Sequence, residues 1–129
     1  MERHTIRINY QLCVTFEKLT ILLINAPQLR TFVLEACGKD FADGNKWQDL
    51  IEKHLSSLKN FRFEFCIYKS DNIDEIWSTF QSDFWLKIKK WFVKYDYRGN
   101  YIQPTRIYTV GQTTTQAYRR LSTEKLVIK

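Results

Sequence analysis

The stretches LRTFVLEAC (29–37) and LKNFRFEFC (58–66) are one phrase written twice, 29 residues apart. Each places Leu, an apolar residue, a second apolar residue and Cys at spacings of three, two and three: Leu29, Phe32, Leu34, Cys37 and Leu58, Phe61, Phe63, Cys66. Twenty-four residues upstream of the first copy, Thr5, Ile8, Tyr10 and Cys13 keep the register with threonine in the leading place. Thirty residues beyond the second, Ile88, Trp91 and Val93 repeat it again, and Asp96 takes the place of the cysteine. All three cysteines of the chain thus fall at one position of a recurring unit. A period of this size predicts stacked supersecondary units rather than a single irregular core.

The spacing has a direct physical reading. Residues two apart on a strand share a face, so Phe32 with Leu34 and Phe61 with Phe63 bury together while the residues between them point the other way. Arg7, Asn9, Thr31, Val33, Glu35, Asn60, Arg62 and Glu64 therefore form the expected outward face and are the candidate partner-binding residues. The cysteines are expected in a cramped buried corner where the chain leaves the strand, a place that suits a small apolar residue with a weak S–H donor. The pattern is that of a leucine-rich repeat. The expected fold is α/β, a short irregular solenoid of about three to four strand-helix repeats over residues 1–110. Residues 111–129 are expected to be a flexible tail, with a short strand at Leu126–Ile128.

Helical periodicity fills the intervals. Phe16, Leu19, Leu22 and Leu23 recur at spacings of three and four, and Pro27 stops that helix. Trp47, Leu50, Ile51, Leu55 and Leu58 make a second stripe, for which Asn45 with Gln48 three residues on predicts a capping box. Ile73, Ile76, Trp77 and Phe80 predict a third helix over 72–81, capped by Ser70 or Asp71, with Asp74 and Glu75 at its positive end. Asp96 to Asn100 reads as a turn and Arg106 to Val110 as a strand closing a hairpin.

Composition narrows the function classes. The chain has 129 residues, 44% hydrophobic, 26% charged and 16% aromatic, with only four glycines and two prolines. That is the profile of one folded domain, with no long uncharged apolar run for a membrane span. The N-terminus lacks a signal-type apolar core, and three cysteines, one per repeat, suit reduced thiols. An intracellular protein, cytoplasmic or nuclear, is expected. The net charge of +6 is uneven: residues 1–83 carry 10 Lys or Arg against 12 Asp or Glu, and residues 84–129 carry 10 against 2. A basic last third favours encounter with acidic partners.

No catalytic set is visible. G-x-S-x-G, a phosphate-binding glycine loop and H-E-x-x-H are all missing, and Cys13, Cys37, Cys66, His4 and His54 are too scattered to pair as zinc ligands. His54 is expected half-buried in the second helical stripe. Asp71, Asp74 and Glu75 are better explained by a helix start than by a metal. No enzyme, cofactor, metal or small-molecule substrate is expected. An alternative function, binding of RNA or single-stranded DNA, rests on Phe84 to Tyr101, where Trp85, Trp91, Phe92, Tyr95 and Tyr97 alternate with Lys87, Lys89, Lys90, Lys94 and Arg98. Aromatic stacking platforms interleaved with cations serve such ligands. The competing account is a core strand with solvated lysines, and Trp91 and Val93 on the buried register favour it.

The two clean repeats, with DGNKWQDLIEKHLSSLKNFRF (43–63) and IDEIWSTFQSDFWLKIKKWFVKYDY (73–97), resemble the C-terminal half of F-box proteins, in particular a diverged group with irregular leucine-rich repeats. The resemblance covers about residues 15–110. It implies a protein partner held by the repeats, as the substrate-recognition arm of a cullin-RING ubiquitin ligase subunit. No F-box-like helical segment precedes Ile8, so the resemblance is to that arm alone. A further expectation is an incomplete solenoid with apolar ends left open.

Overall fold

The computed structural model describes residues 4–9, 15–67, 72–96 and 105–110. They form a mixed α/β layer around an open five-stranded sheet. The elements in chain order are β1 (Thr5–Ile8), α1 (Phe16–Ile24), β2 (Thr31–Cys37), α2 (Gly44–His54), β3 (Asn60–Ile67), α3 (Ile73–Ser78), β4 (Phe92–Asp96) and β5 (Thr105–Val110). A 3-10 turn at Lys39–Phe41 precedes α2, and a π-helical turn at Phe84–Ile88 precedes β4. The sheet order is β1-β2-β3-β5-β4. β1, β2 and β3 are parallel, β5 runs antiparallel to both its neighbours, and the two clean repeats pair in the register of their sequence match, Phe32 opposite Phe61 and Cys37 opposite Cys66.

Alternation decides which side is core. Phe32, Leu34 and Ala36 on β2, and Phe61, Phe63 and Phe65 on β3, are buried beneath the helices. Trp47 of α2 packs on Phe61 at 4.9 Å, Phe32 at 6.1 Å and Phe65 at 6.3 Å between ring centres, and Phe16 of α1 meets it edge-on at 5.0 Å. A second indole, Trp85 of the π-helical turn, touches Phe61, Phe63, Phe80 and Trp91. Each such pair contributes about 0.5–1.5 kcal/mol beyond the area buried. The indole N–H groups are all used: Trp47 donates to Phe41 O at 2.7 Å, Trp77 to Val93 O at 2.8 Å, Trp85 to Gly44 O and Trp91 to Lys59 O, both at 3.3 Å. Four large rings are thereby buried or half-buried without an orphaned donor.

Gly44 fixes the contact between the start of α2 and the end of α3. Its N–H donates to Thr79 Oγ1 at 2.8 Å, and a Cβ added there would overlap the Thr79 carbonyl oxygen. Only glycine lets α2 start this close to the end of α3.

Several expectations are corrected. The cap of α2 is Asp43, whose carboxylate accepts from Asn45 and Lys46 N–H, two residues earlier than the Asn45–Gln48 box; Gln48 instead accepts from Ser82. The third helix is shorter than 72–81 because Ser78 and Thr79 hydroxyls turn back onto the Glu75 and Ile76 carbonyls, and its cap is Asn72. Ser70 and Asp71 lie outside the described residues. Leu22 and Ile88, placed on buried stripes by spacing, are 47% and 67% exposed. His54 is exposed, because Leu55 and Leu58 fill the space under that end of α2. The expected hairpin is present, but β5 rather than β4 lies beside β3, so the fourth strand is not the next step of the parallel stack. Tyr10, Cys13, the turn beyond Asp96, and residues 111–129 with Leu126–Ile128 fall outside the described residues.

Candidate protein-binding face

Every helix among the described residues whose ring contacts place it packs on one side of the sheet. The other side is a lattice of side chains set by register. One row is Thr5, Thr31 and Asn60; the next is Arg7, Val33 and Arg62; a third is Glu35, Glu64, Tyr108 and Lys94; the last is Cys37, Cys66, Arg106 and Asp96. Adjacent strands lie about 4.8 Å apart, so neighbours in a row touch or repel directly. The structure therefore gathers Arg7, Thr31, Val33, Glu35, Asn60, Arg62 and Glu64 on one face, and Asn9 follows β1 on the same parity.

The face is graded rather than uniformly solvated. Arg7, Asn9 and Asn60 are exposed, Thr31, Val33, Glu35, Arg62 and Glu64 are half-buried, and Cys66, Tyr108 and Asp96 are buried. Asn60 Nδ2 reaches Thr31 Oγ1 at 3.5 Å. Arg106 Nε stands 3.3 Å from Glu64 Oε2, an ion pair at the edge of hydrogen-bond geometry, and it crosses from β5 to β3. Glu35 lies directly opposite Glu64, so two carboxylates share the middle of the lattice, with the Arg106 guanidinium beside Glu64. The rows thus hold both signs of charge at fixed spacing on a rigid ladder.

Sequence reading missed the far half of this face. Phe92, Lys94, Asp96, Arg106, Tyr108 and Val110 extend it, and the alternation in FVKYD and TRIYTV carries that information. Spacing alone did not reveal that β5 enters between β3 and β4.

The cysteines also depart from expectation. The strands run on through Cys37 and Cys66, so parity carries both sulfurs to the lattice side instead of into a corner of the core. Cys37 is exposed and Cys66 buried. Burial of the sulfur against Cys66, with the charge and hydrogen bond of that thiol, raises Cys37 to about 11 despite the countering charge of Arg106.

The alternative set is not brought together. Lys87 pairs with Asp83 on the π-helical turn, Lys94 lies on the sheet face, and Arg98 is outside the described residues. Trp85 and Trp91 are buried and cannot stack bases, whereas Phe92 is 44% exposed. Lys89 donates to Leu58 O at 3.1 Å and lies over the Trp91 ring, and burial together with the nearby Lys59 lowers its pKa. Arg30 and Lys59, each the residue just before a strand, are exposed and aligned by the ladder, Lys59 and Asn60 N–H both donating to Arg30 O. With exposed Lys90 they make a basic strand-start edge, foreshadowed in the sequence by a cation immediately before the strand of each of the two clean repeats.

Near α3, Tyr95 donates to Asp74 Oδ1 at 2.9 Å, a bond that raises the Tyr95 pKa and occupies the acidic residue. No cluster of three or more metal-ligating side chains occurs among the described residues, and no helix among them is long and apolar enough to cross a membrane. Comparison with protein-family models, with curated proteins and with solved structures gave no match.

Proposed function

We propose that this chain is a non-catalytic protein-interaction module that holds a protein partner on the sheet face opposite the described helices. The observation that carries this reading is the gathering of Arg7, Thr31, Val33, Glu35, Asn60, Arg62 and Glu64 into register on one face, while the alternate residues of the same strands build the aromatic core. The mixed signs along the rows suit a polar, charge-complementary partner surface. Within this reading the β1-α1-β2-α2-β3 segment is an irregular leucine-rich-repeat unit, and the chain is the substrate-recognition region of an F-box subunit of a cullin-RING ubiquitin ligase. The sequence resemblance over about residues 15–110 supports that finer assignment. The test is affinity capture from a cell extract with three baits: the native chain, Arg7→Glu/Arg62→Glu on the face, and Lys53→Glu on the back of α2. The reading expects a partner set, including substrates of ubiquitination, that the face variant loses and the back variant keeps. Equal capture by all three baits would overturn it.

A second reading, binding of single-stranded nucleic acid, draws on the basic edge of Arg30, Lys59, Lys89 and Lys90. Its ligand would be held by phosphate contacts without stacking, and affinity would fall steeply with salt. A salt titration of binding to a labelled single-stranded oligonucleotide checks it.

A further inference from the structure

Cys37 ends β2 and Cys66 stands directly opposite it on β3. Both thiols are reduced, both project to the lattice face, and they share a hydrogen bond. Paired strand positions are about 4.8 Å apart, inside the Cα range of roughly 4.4–6.8 Å that a disulfide spans. The backbone around the pair is tied yet able to yield. Gly38 follows Cys37 at φ 116° with open space around it, and its N–H donates to Cys66 O at 2.8 Å. Cys37 is open to solvent, so an oxidant can reach one sulfur while the other is held against it.

We infer that Cys37 and Cys66 form an oxidative modification site that reacts with a hydroperoxide and closes to an intramolecular disulfide between β2 and β3. The Cys37 thiolate attacks the terminal peroxide oxygen, the O–O bond breaks, and the departing alkoxide takes a proton to leave as alcohol. Cys37 is then a sulfenic acid. The Cys66 thiolate attacks its sulfur, the S–S bond forms, and hydroxide leaves as water once protonated. Two thiols and one hydroperoxide give one disulfide, one alcohol and one water, with two electrons passing from the sulfurs to the peroxide.

The surroundings set the rate. Glu64 and Cys66 oppose ionisation of Cys37 and Arg106 favours it; among the described residues, Glu35 on the same strand and Asp96 at the far end of the row are further charged groups on this part of the lattice. With the thiol at about 11, the thiolate is scarce near neutral pH and closure is slow. A weakly acidic thiol is also a poor leaving group, so the disulfide resists reduction once made. The pair acts as a latch rather than a rapid sensor.

The test treats the full native chain with cumene hydroperoxide and maps its peptides without reduction. The expected result is loss of two hydrogens from the monomer, a peptide joining Cys37 to Cys66, and a rate rising roughly tenfold per pH unit between pH 7.5 and 9.5. In Cys66→Ser, dimedone should label Cys37 as the trapped sulfenic acid. Should that variant not fold, the native peptide map decides alone. A link from either residue to Cys13, covalent dimers only, or oxidation of Cys37 to sulfinic acid with Cys66 still a free thiol would overturn the inference.

Discussion

The two faces of the sheet are written by alternate residues of the same strands, yet one is a block of interlocked rings and the other a grid of charges. On β3, Phe61, Phe63 and Phe65 go under the helices while Asn60, Arg62, Glu64 and Cys66 go to the grid. The comparison separates what makes the chain fold from what it can offer a partner. Apolar burial on the helix side supplies the stability, and the polar side chains held by the same backbone are the ones we propose for partner recognition.

The largest effect that could break this division is at its aromatic centre. Trp47→Ala should cost about 3–5 kcal/mol in chemical denaturation, whereas Asn60→Ala, next to buried Phe61 in sequence but on the grid, should stay within about 0.5 kcal/mol. Equal costs would mean that the grid, too, is core. Next comes the junction: Gly44→Ala should cost about 1–3 kcal/mol, because the added methyl must push the Thr79 backbone aside. A smaller loss, about 1 kcal/mol, is expected in Glu64→Gln, which weakens the β3–β5 ion pair without emptying the site. Smallest is Lys90→Gly. Lys90 has φ 58°, so glycine should be neutral to about 1 kcal/mol more stable, while removing one charge from the basic edge.

The pH dependence sharpens the same contrast. Cys37, on the grid, has a folded pKa raised from 9.0 to about 11. The protonated thiol is favoured by folding, so its contribution is complete below pH 9 and is lost as pH rises from 9 to 11. Tyr95, hydrogen-bonded to Asp74, shifts in the same direction. Stability measured by denaturation should therefore decline above pH 9, and Cys37→Ser should make the decline shallower.

The strands of the two clean repeats were legible because a period of two leaves little freedom once Phe32, Leu34, Phe61 and Phe63 are taken as buried. Their exact pairing followed from the 29-residue offset. The bounds of α1 matched the expected Phe16 to Ile24 because Thr15 caps one end and Pro27 lies just past the other, although Leu22 of its stripe faces outward. What escaped the sequence depended on contacts between distant segments. Asp43 rather than Asn45 starts α2 because Gly44 must meet Thr79, 35 residues away. The turn Phe84–Ile88 became π-helical where Lys89 N–H donates to Phe84 O, and it swings Ile88 outward while burying Trp85. The face of the cysteines was misjudged for a local reason: the repeat phrase was taken to end the strand before them, when the ladder continues through both. The insertion of β5 beside β3 left no local trace at all, since strand order is a property of the whole sheet.

The central claim is that the grid, and not the helix layer, is where a partner sits. Site-specific photo-crosslinking tests it directly, with a photoreactive phenylalanine placed singly at Thr31, at Asn60, or at Lys53 on the back of α2, in the full chain expressed in cells. The account predicts a discrete adduct with one partner from Thr31 and Asn60, lost when Arg7 and Arg62 are reversed to Glu, and none from Lys53. An adduct formed from Lys53 and absent from both grid positions would contradict it.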